Sequence, residues 1–509
     1  NAGNLRQADP GNRSIGQEDE IMRITNTMMI NSTMRNVNSS KTNLSSAENQ
    51  MGTEKKITRP SDDPIIAIRA LSLRSSLSEI NMYLTNNIPE AESWIGITES
   101  ALDNMDGALG DIYELCTQGA SDQFTIENRS AIIQVLNQYK EAVYTEANAN
   151  YAGRYCFTGY RTDTSFTFTD ATEAASLKYR IPQKLKASDL DQVSIMKNSV
   201  DVTNITDIPA ADMPEADKVY RLRLAYSGCS KDNFGAISID GTDYTPTAVT
   251  YNEYQELLEN GNATDDFYYV YDTGELLISD NMYETVKDAK DIEFTYEKDG
   301  FAKGDVRPEM YYECQDITDP ADIKEYHQKD GGQYITYTIN YAQDLQVNTL
   351  GNKTLSHDIA RDVDDMCNAL QQVSDIEDKI AKLKSMKESS VYSDTEKEQI
   401  QTMIDASNKE LDYAKDSMKK LFSKEMPRVK AYQQSVDLQI ADLGARDARL
   451  SLAKSRLTEQ QTTFKDLKSQ NEDADLEEIV VNYTSAKTLY QAALNAAASC
   501  VKQSLLDYI

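Results

Sequence analysis

The chain has two histidines, His327 and His357, and they stand in different segments. Histidine is the side chain best suited to proton transfer near neutral pH, so its scarcity already narrows the chemistry. No HExxH pair, nucleophile elbow or Walker-type phosphate loop is present. Asp330-Gly331-Gly332, between Lys329 and Gln333, reads as a turn, because no strand-then-helix pattern surrounds it as a dinucleotide site requires. Asp362-Val363-Asp364-Asp365 gathers carboxylates that could hold calcium. It lacks the ligand spacing of an EF-hand loop, and the expectation is a solvated helix face. Cys116, Cys156, Cys229, Cys314, Cys367 and Cys500 include no pair at CxxC spacing, and they are expected to be free, mostly buried thiols. No catalytic, cofactor-binding or metal-ligating set emerges, and the chain reads as non-enzymatic.

Composition excludes further classes. Lys and Arg total 52 against 83 Asp and Glu, a net charge of -31. Such a polyanion repels nucleic acid and anionic membranes, so neither is expected as a partner. No run of about 20 apolar residues exists for a membrane-spanning helix. The richest stretch, Tyr490 to Val501, is mostly alanine and too short. Residues 1–21 are polar, with no apolar signal-peptide core, and are expected to be a disordered extension before a start at Met22.

The elements that must position any function are long helices. Ile30, Val37, Leu44 and Met51 recur every seven residues, with Met34 as a second seam position, predicting a coiled-coil-like helix. Ala70, Leu77, Leu84, Ala91, Thr98, Met105 and Ile112 form a longer series. Leu73, Ile80, Asn87, Trp94, Ala101, Ala108 and Leu115 form its companion. A helix of about 50 residues would span roughly 75 Å, with Pro89 expected to kink or break it. A third helix is predicted over 125–149. From about residue 166 to 341 the chain turns to Tyr, Thr, Asp and β-branched residues. Phe267–Tyr271 and Leu276–Ser279 flank Asp272-Thr273-Gly274 as a hairpin, and Ile237-Ser-Ile-Asp240-Gly241 signals another. Helix returns with Ile359, Val363, Met366, Leu370, Val373 and Ile380, turns at 389–394, and resumes with Ile400, Met403, Leu411, Met418 and Leu421. A break is expected at Pro427. Leu476, Ile479, Tyr483, Ala486, Tyr490, Ala493, Ala497 and Cys500 keep three–four spacing to the end.

The fold class is therefore α+β. Both chain ends form a long coiled-coil-like helical rod, carrying an inserted, mainly β domain and a helical hairpin. The expected layout is 22–58 core helix, 59–164 first half of the rod, 165–350 β insertion, 351–426 hairpin, 427–470 second half of the rod and 471–509 core helix. The two terminal helices must pair with each other or with other subunits.

Several motifs resemble one family. Met22-Arg-Ile-Thr-Asn-Thr-Met28 resembles the opening of flagellins and flagellar hook-associated proteins. Arg59-Pro-Ser-Asp62-Asp63-Pro64, followed by Ile-Ile-Ala-Ile-Arg-Ala-Leu71, looks like the motif before the rod helix of the hook-associated protein 3 family, the flagellin-like hook–filament junction proteins. Gly153-Arg-Tyr-Cys-Phe-Thr-Gly159, Gly444-Ala-Arg with Leu450, and Glu472-Asp-Ala-Asp-Leu-Glu-Glu with the tail Ser504-Leu-Leu-Asp-Tyr-Ile509 are similar too. The resemblance covers about residues 22–165 and 430–509. Flagellin shares the plan but usually has an Arg-Ala-Gly-Asp-Asp type motif and another tail.

The resemblance implies a structural subunit that joins hook to filament as a ring of copies. The implied partners are itself, the first hook-associated protein, flagellin and a cytosolic export chaperone. It also implies an extracellular, flagellar location reached without a cleaved signal, and no cofactor. The subunit-interface candidates are Ile30, Val37, Leu44, Met51, Arg59, Asp62, Asp63, Leu476, Ile479, Tyr483, Tyr490, Leu494, Leu505, Leu506, Tyr508 and Ile509. Asp63-Pro64 also suits a plain helix cap, and the terminal seams suit an intramolecular coiled coil. The other readings are flagellin itself, or a secreted coiled-coil adhesion factor whose β domain binds a ligand.

Overall fold

The computed structural model describes residues 26–121, 124, 128–209, 212–328 and 332–502. The expected extension at 1–21, most of the opening motif, Asp330 and Gly331, and the tail Leu505, Leu506, Tyr508 and Ile509 lie outside the described residues, as does the side chain of Cys500. Seven long helices are numbered here: α1 (Asn26–Thr53), α2 (Pro64–Met82), α3 (Ile88–Ala120), α4 (Arg129–Glu146), α5 (Asp358–Glu388), α6 (Asp394–Glu472) and α7 (Leu476–Lys502). The chain divides into two compact units, Asn1–Met82 with Leu457–Ile509, and Tyr83–Arg456.

In the first unit α1 lies antiparallel to α7, because the end of α1 meets the start of α7 at an isolated Lys55–Asp473 bridge. The seam on α1 is Ile30, Thr33, Val37, Ser40, Leu44 and Ala47. Met34 lies off it, 52% exposed, which corrects its placement on the seam, whereas Met51 keeps the seam spacing near the end of α1 and is 41% exposed. Seven residues turn a helix by nearly two full turns, so either neighbour of a seam residue also fits a sevenfold spacing. Only packing chooses between position 33 and position 34.

In the second unit α3 buries both expected series, among them Ala91, Trp94, Thr98, Ala101, Met105, Ala108 and Ile112. Pro89 does not break the helix. Residues Tyr83–Asn87 form a π-helical turn just before it. Proline lacks an N–H and its ring presses on the carbonyl four residues back, and the wider turn makes room there. At Pro427 the expected break is absent. α6 runs through it for 79 residues, about 120 Å of helix. Pro427 is exposed, so the ring points to solvent and water can serve the backbone it leaves unpaired. α5 and α6 form the expected hairpin around Leu383, Ile400, Met403 and Ile404, and residues 200–208 cover it through Val200, Ile205 and Ile208.

The β insertion is a two-sheet sandwich. One sheet runs β13 (Lys324–Tyr326), β12 (Cys314–Asp316), β3 (Lys178–Leu185), β11 (Ile292–Asp299), β6 (Ile237–Ile239), β7 (Thr242–Tyr244). The other runs β4 (Asp191–Lys197), β5 (Glu215–Arg223), β10 (Glu275–Ile278), β9 (Phe267–Val270), β8 (Thr247–Val249). Tyr179, Ile181, Leu222, Tyr269, Leu276, Phe294 and Tyr296 share the core between them. The outer face of the second sheet, with Val219, Tyr268, Val270 and Leu277, packs against a helix at Tyr251–Glu259. β9 and β10 are thus buried on both faces, which explains why Phe-Tyr-Tyr-Val and Glu-Leu-Leu-Ile do not alternate. Asp240 and Gly241, at φ 47° and 86°, form the mirror-image turn a tight hairpin needs. Two small hairpins complete the set: β1 (Asn150–Tyr151) with β2 (Arg154–Tyr155), and β14 (Thr336–Asn340) with β15 (Gln343–Gln346).

Candidate assembly surfaces

The terminal helix pair uses its seams internally. Ile479 is buried, and Tyr483, Ala486, Tyr490, Ala493 and Ala497 are half-buried along α7, opposite half-buried Ile30 and Leu44 and buried Val37. Of the two partners the sequence allows these seams, the structure supplies the chain's own other end. Among the polar residues of the outward faces, several apolar side chains stand exposed. On α1, Met28, Met29, Met34 and Met51 are 41–57% exposed, and on α7 Leu476, Val480, Val481, Leu489 and Leu494 are 43–66% exposed.

A paired joint holds the ends of α1 and α6. Lys56 N–H donates to the Glu472 carbonyl at 2.8 Å, and Ala474 N–H donates to Glu54 at 3.0 Å. The Lys55 ammonium pairs with Asp473. Arg74 grips the Glu472 carboxylate with two bonds of 2.8 and 2.7 Å, and that carboxylate is nearly fully buried. Two-point guanidinium contact fixes direction as well as distance.

The loop before α2 is tied locally. Asp62 accepts backbone N–H bonds from Arg59 and Thr58, which hold its carboxyl below its ordinary range. Asp63 accepts from Ile65 and Ile66 at 2.9 and 3.1 Å, the cap expected before Pro64. Arg59 is exposed.

The two histidines have different surroundings. His327 lies exposed beside Glu325, whereas His357 is half-buried against the Tyr312 hydroxyl at 2.9 Å, and the desolvation holds its basicity down. No group of three or more His, Cys, Asp or Glu side chains among the described residues is arranged to hold a metal. Cys116, Cys156, Cys229, Cys314 and Cys367 are buried and free. Burial pushes the Cys116 thiol up to about 12, and those of Cys156, Cys229 and Cys367 to about 11.

The acidic run at 362–365 is the clearest correction. It is not a solvated face: Asp362 is 1% exposed. Arg221 and Arg223, alternate residues of β5, reach it from the sandwich. Arg221 bonds Asp365 at 2.6 Å and Asp191 at 3.3 Å, and it pairs with Glu275. Arg223 bonds Asp365 at 3.1 Å and pairs with Asp362. From α6, Lys424 pairs with Asp191, Arg428 lies 3.3 Å from both Asp362 and Glu425, and the Tyr432 hydroxyl donates to Asp362 at 2.6 Å. Only Asp364 points outward, to Lys140 at 2.5 Å. The network pins the sandwich to α5 and α6. Its trace in the sequence is the four–three spacing of Asp358, Asp362 and Asp365, which puts three carboxylates on one helix face.

Comparison with known proteins bears on the two chain ends. Residues 24–162 match the family described as the bacterial flagellin N-terminal helical region, and residues 426–509 match the bacterial flagellin C-terminal helical region. The two ends of this chain are similar to flagellin helical regions. Neither match touches residues 163–425. Flagellar hook-associated protein 3 of Escherichia coli is 27% identical over 145 residues, 28% of this chain and 45% of its own length. The protein of that name from Salmonella typhimurium is 27% identical over 152 residues, 30% of this chain and 47% of its own. A flagellin of Clostridium tyrobutyricum is 28% identical over 127 residues, 25% of this chain and 33% of its own. The chain thus spans about half the length of the hook-associated relatives it matches. A solved structure of flagellar hook associated protein-3 from Legionella pneumophila covers 78% of this chain and 97% of its own, at 10% identity and a TM-score of 0.30. That likeness is too slight to bear on the fold.

Proposed function

We propose that this protein is a non-enzymatic structural subunit of the bacterial flagellum that joins hook to filament. The observation that carries the reading is the pair of chain ends similar to flagellin helical regions, whose α1–α7 pairing leaves nine large apolar side chains exposed. Nine such side chains, each about half exposed, offer roughly 1 kcal/mol apiece on burial. A lone copy in water gains nothing from them, whereas a copy packed among others does. Met51, Leu476 and Leu494 are among these exposed side chains, with Arg59 at the exposed loop. Ile30, Val37, Leu44, Ile479, Tyr483 and Tyr490 hold the pair together behind them, and Asp62 and Asp63 shape the loop.

Copies form a ring through these terminal helices, between the first hook-associated protein and flagellin. In sequence the 165–350 sandwich and the 351–426 hairpin lie between the 59–164 and 427–470 segments. The chain reaches the cell exterior through the flagellar export channel without a cleaved signal, escorted by a cytosolic chaperone. A flagellin role is the second reading, supported by the Clostridium tyrobutyricum relative. Fluorescent labelling in intact cells separates the two. One spot at each filament base is expected, and staining along the filament would transfer the assignment to flagellin. Deleting the gene should leave flagellin export intact while filaments are lost to the medium.

A further inference from the structure

Helix α6 carries two seams. Val436, Leu443 and Leu450 face the helical core and are buried. Leu438, Ala441, Ala445, Ala448 and Leu452 keep three–four spacing on the opposite side and are exposed, Leu438 at 69% and Leu452 at 55%. An exposed stripe of this spacing is what one helix offers another, and the alanines between the leucines permit close approach.

Helix α3 has the converse face. Opposite its buried series, Ser93, Gly96, Ser100 and Gly107 are exposed. A Cβ added at Gly96 or Gly107 would meet nothing within 4 Å, so the chain's own packing requires neither glycine. Each glycine weakens the helix by about 1 kcal/mol relative to alanine. Opposite charges stand at one end of the two faces. α3 contains no Lys or Arg, and Glu99 and Asp103 stand exposed among the small residues. On α6, Arg449 and Arg456 stand exposed beside Leu452, while Asp437 and Asp442 stand exposed toward Leu438.

The heights agree. Within one copy the two helices are antiparallel: Lys454 pairs with Glu92 at 2.8 Å, and a Cβ on Gly110 would lie 3.7 Å from the Gln433 amide. That register sets Leu438 level with Gly107, Leu452 level with Ser93, and Arg449 within one turn of Glu99. A second copy displaced sideways, with no sliding along the helices, brings leucines over small residues and arginine beside carboxylate.

We propose that copies of this chain associate side by side, the Leu438–Leu452 face of α6 in one copy packing on the Ser93–Gly107 face of α3 in the next. Both buried seams point into one helical core, so the two outer faces look away from it in different directions. A contact between unlike faces repeats from copy to copy and closes into a ring or winds into a tube. The proposal rests on the flagellar reading and specifies which faces meet.

The test uses the full-length chain, expressed in its flagellated host in place of the native copy. One double variant carries Leu438→Cys with Gly107→Cys, the other Leu452→Cys with Ser93→Cys. All four positions are exposed, so folding is preserved. Mild oxidation should link assembled copies into a ladder of multimers in at least one double variant and in neither single variant. Arg449→Glu should reduce the ladder, and adding Glu99→Arg should restore it. Normal flagella with no ladder from either double variant would overturn the choice of faces and leave the junction reading intact. A chain that never enters the flagellum, substituted or not, would overturn the junction reading itself.

Discussion

Glu425→Gln should stabilise the second unit in mildly alkaline buffer and flatten its dependence on pH. Glu425 sits on α6 with 0% exposure, and its Oε2 has no hydrogen-bond partner. Its Oε1 lies 3.3 Å from the Arg428 guanidinium, which is equally close to Asp362. Burial, and after it the neighbouring Asp362 carboxylate, push the Glu425 carboxyl up to about 8 from an ordinary 4.5. The groups facing it are Asp362 on α5, Arg428 and Lys424 on α6, and Cys116 on α3, and behind Asp362 stand Arg223 of β5 and Tyr432. Between the two values the folded protein keeps a proton that the unfolded chain releases. Stability therefore falls as pH rises from about 4.5 to about 8 and levels off above, at about 1.4 kcal/mol per pH unit. From pH 6 to pH 8 the loss is on the order of 2–3 kcal/mol. Gln fills the same volume, needs no proton and can donate its amide to Asp362. Trp94 is the single tryptophan and is fully buried in this unit, so its fluorescence during urea unfolding reports the transition. The informative quantity is the difference between variant and parent at pH 6, 7, 8 and 9. Asp365, held down to about 2 because Arg221 and Arg223 outweigh its burial, contributes stability above pH 3.8 that is lost only as pH falls toward 2. It cancels from that difference. Equal slopes in parent and variant, or a Gln variant weaker at every pH, would refute the reasoning.

Arg221→Met should cost about 3–5 kcal/mol in the same urea assay, because Asp191, Glu275 and Asp365 keep their buried charges and lose the guanidinium between them. A loss under 1 kcal/mol would mean that solvent already reaches the network. Gly274→Ala should lower stability by roughly 2 kcal/mol or more: its φ is +69°, and a Cβ would lie 2.0 Å from the Tyr226 carbonyl oxygen. A thermal midpoint unchanged by that substitution would contradict the loop geometry. Cys116, Cys156, Cys229, Cys314 and Cys367 should resist alkylation in the folded chain and react on unfolding, read as added mass. Labelling of all five without denaturant would show that the units open readily.

Much of the architecture could be read from periodicity, and its failures are local. The paired series through α3 named buried residues from Ala91 to Ile112, because seven-residue spacing over that length leaves one continuous face. The hairpins at Asp240-Gly241 and Asp272-Thr273-Gly274 were legible because turns that need positive φ select glycine. Pro427 misled because proline's penalty depends on what surrounds it, and its exposure depends on packing far along the chain. Met34 misled because one spacing fits two neighbouring seams, and Met51 because spacing does not say where along the helix the covering partner ends. The run at 362–365 misled most. Carboxylates read alone belong in water, and the arginines that bury them lie well over a hundred residues away on β5.

The sequence by itself determined the helical ends, the inserted strands and the apolar rows that seek a partner. All of these follow from spacing along the chain, where each residue's neighbours are its own element. Tertiary structure alone decided that the terminal seams close on each other, that Asp362 and Glu425 are buried, and which face of α6 is left uncovered. Those outcomes depend on which distant charge or side chain arrives to displace water, and local periodicity carries no record of that arrival.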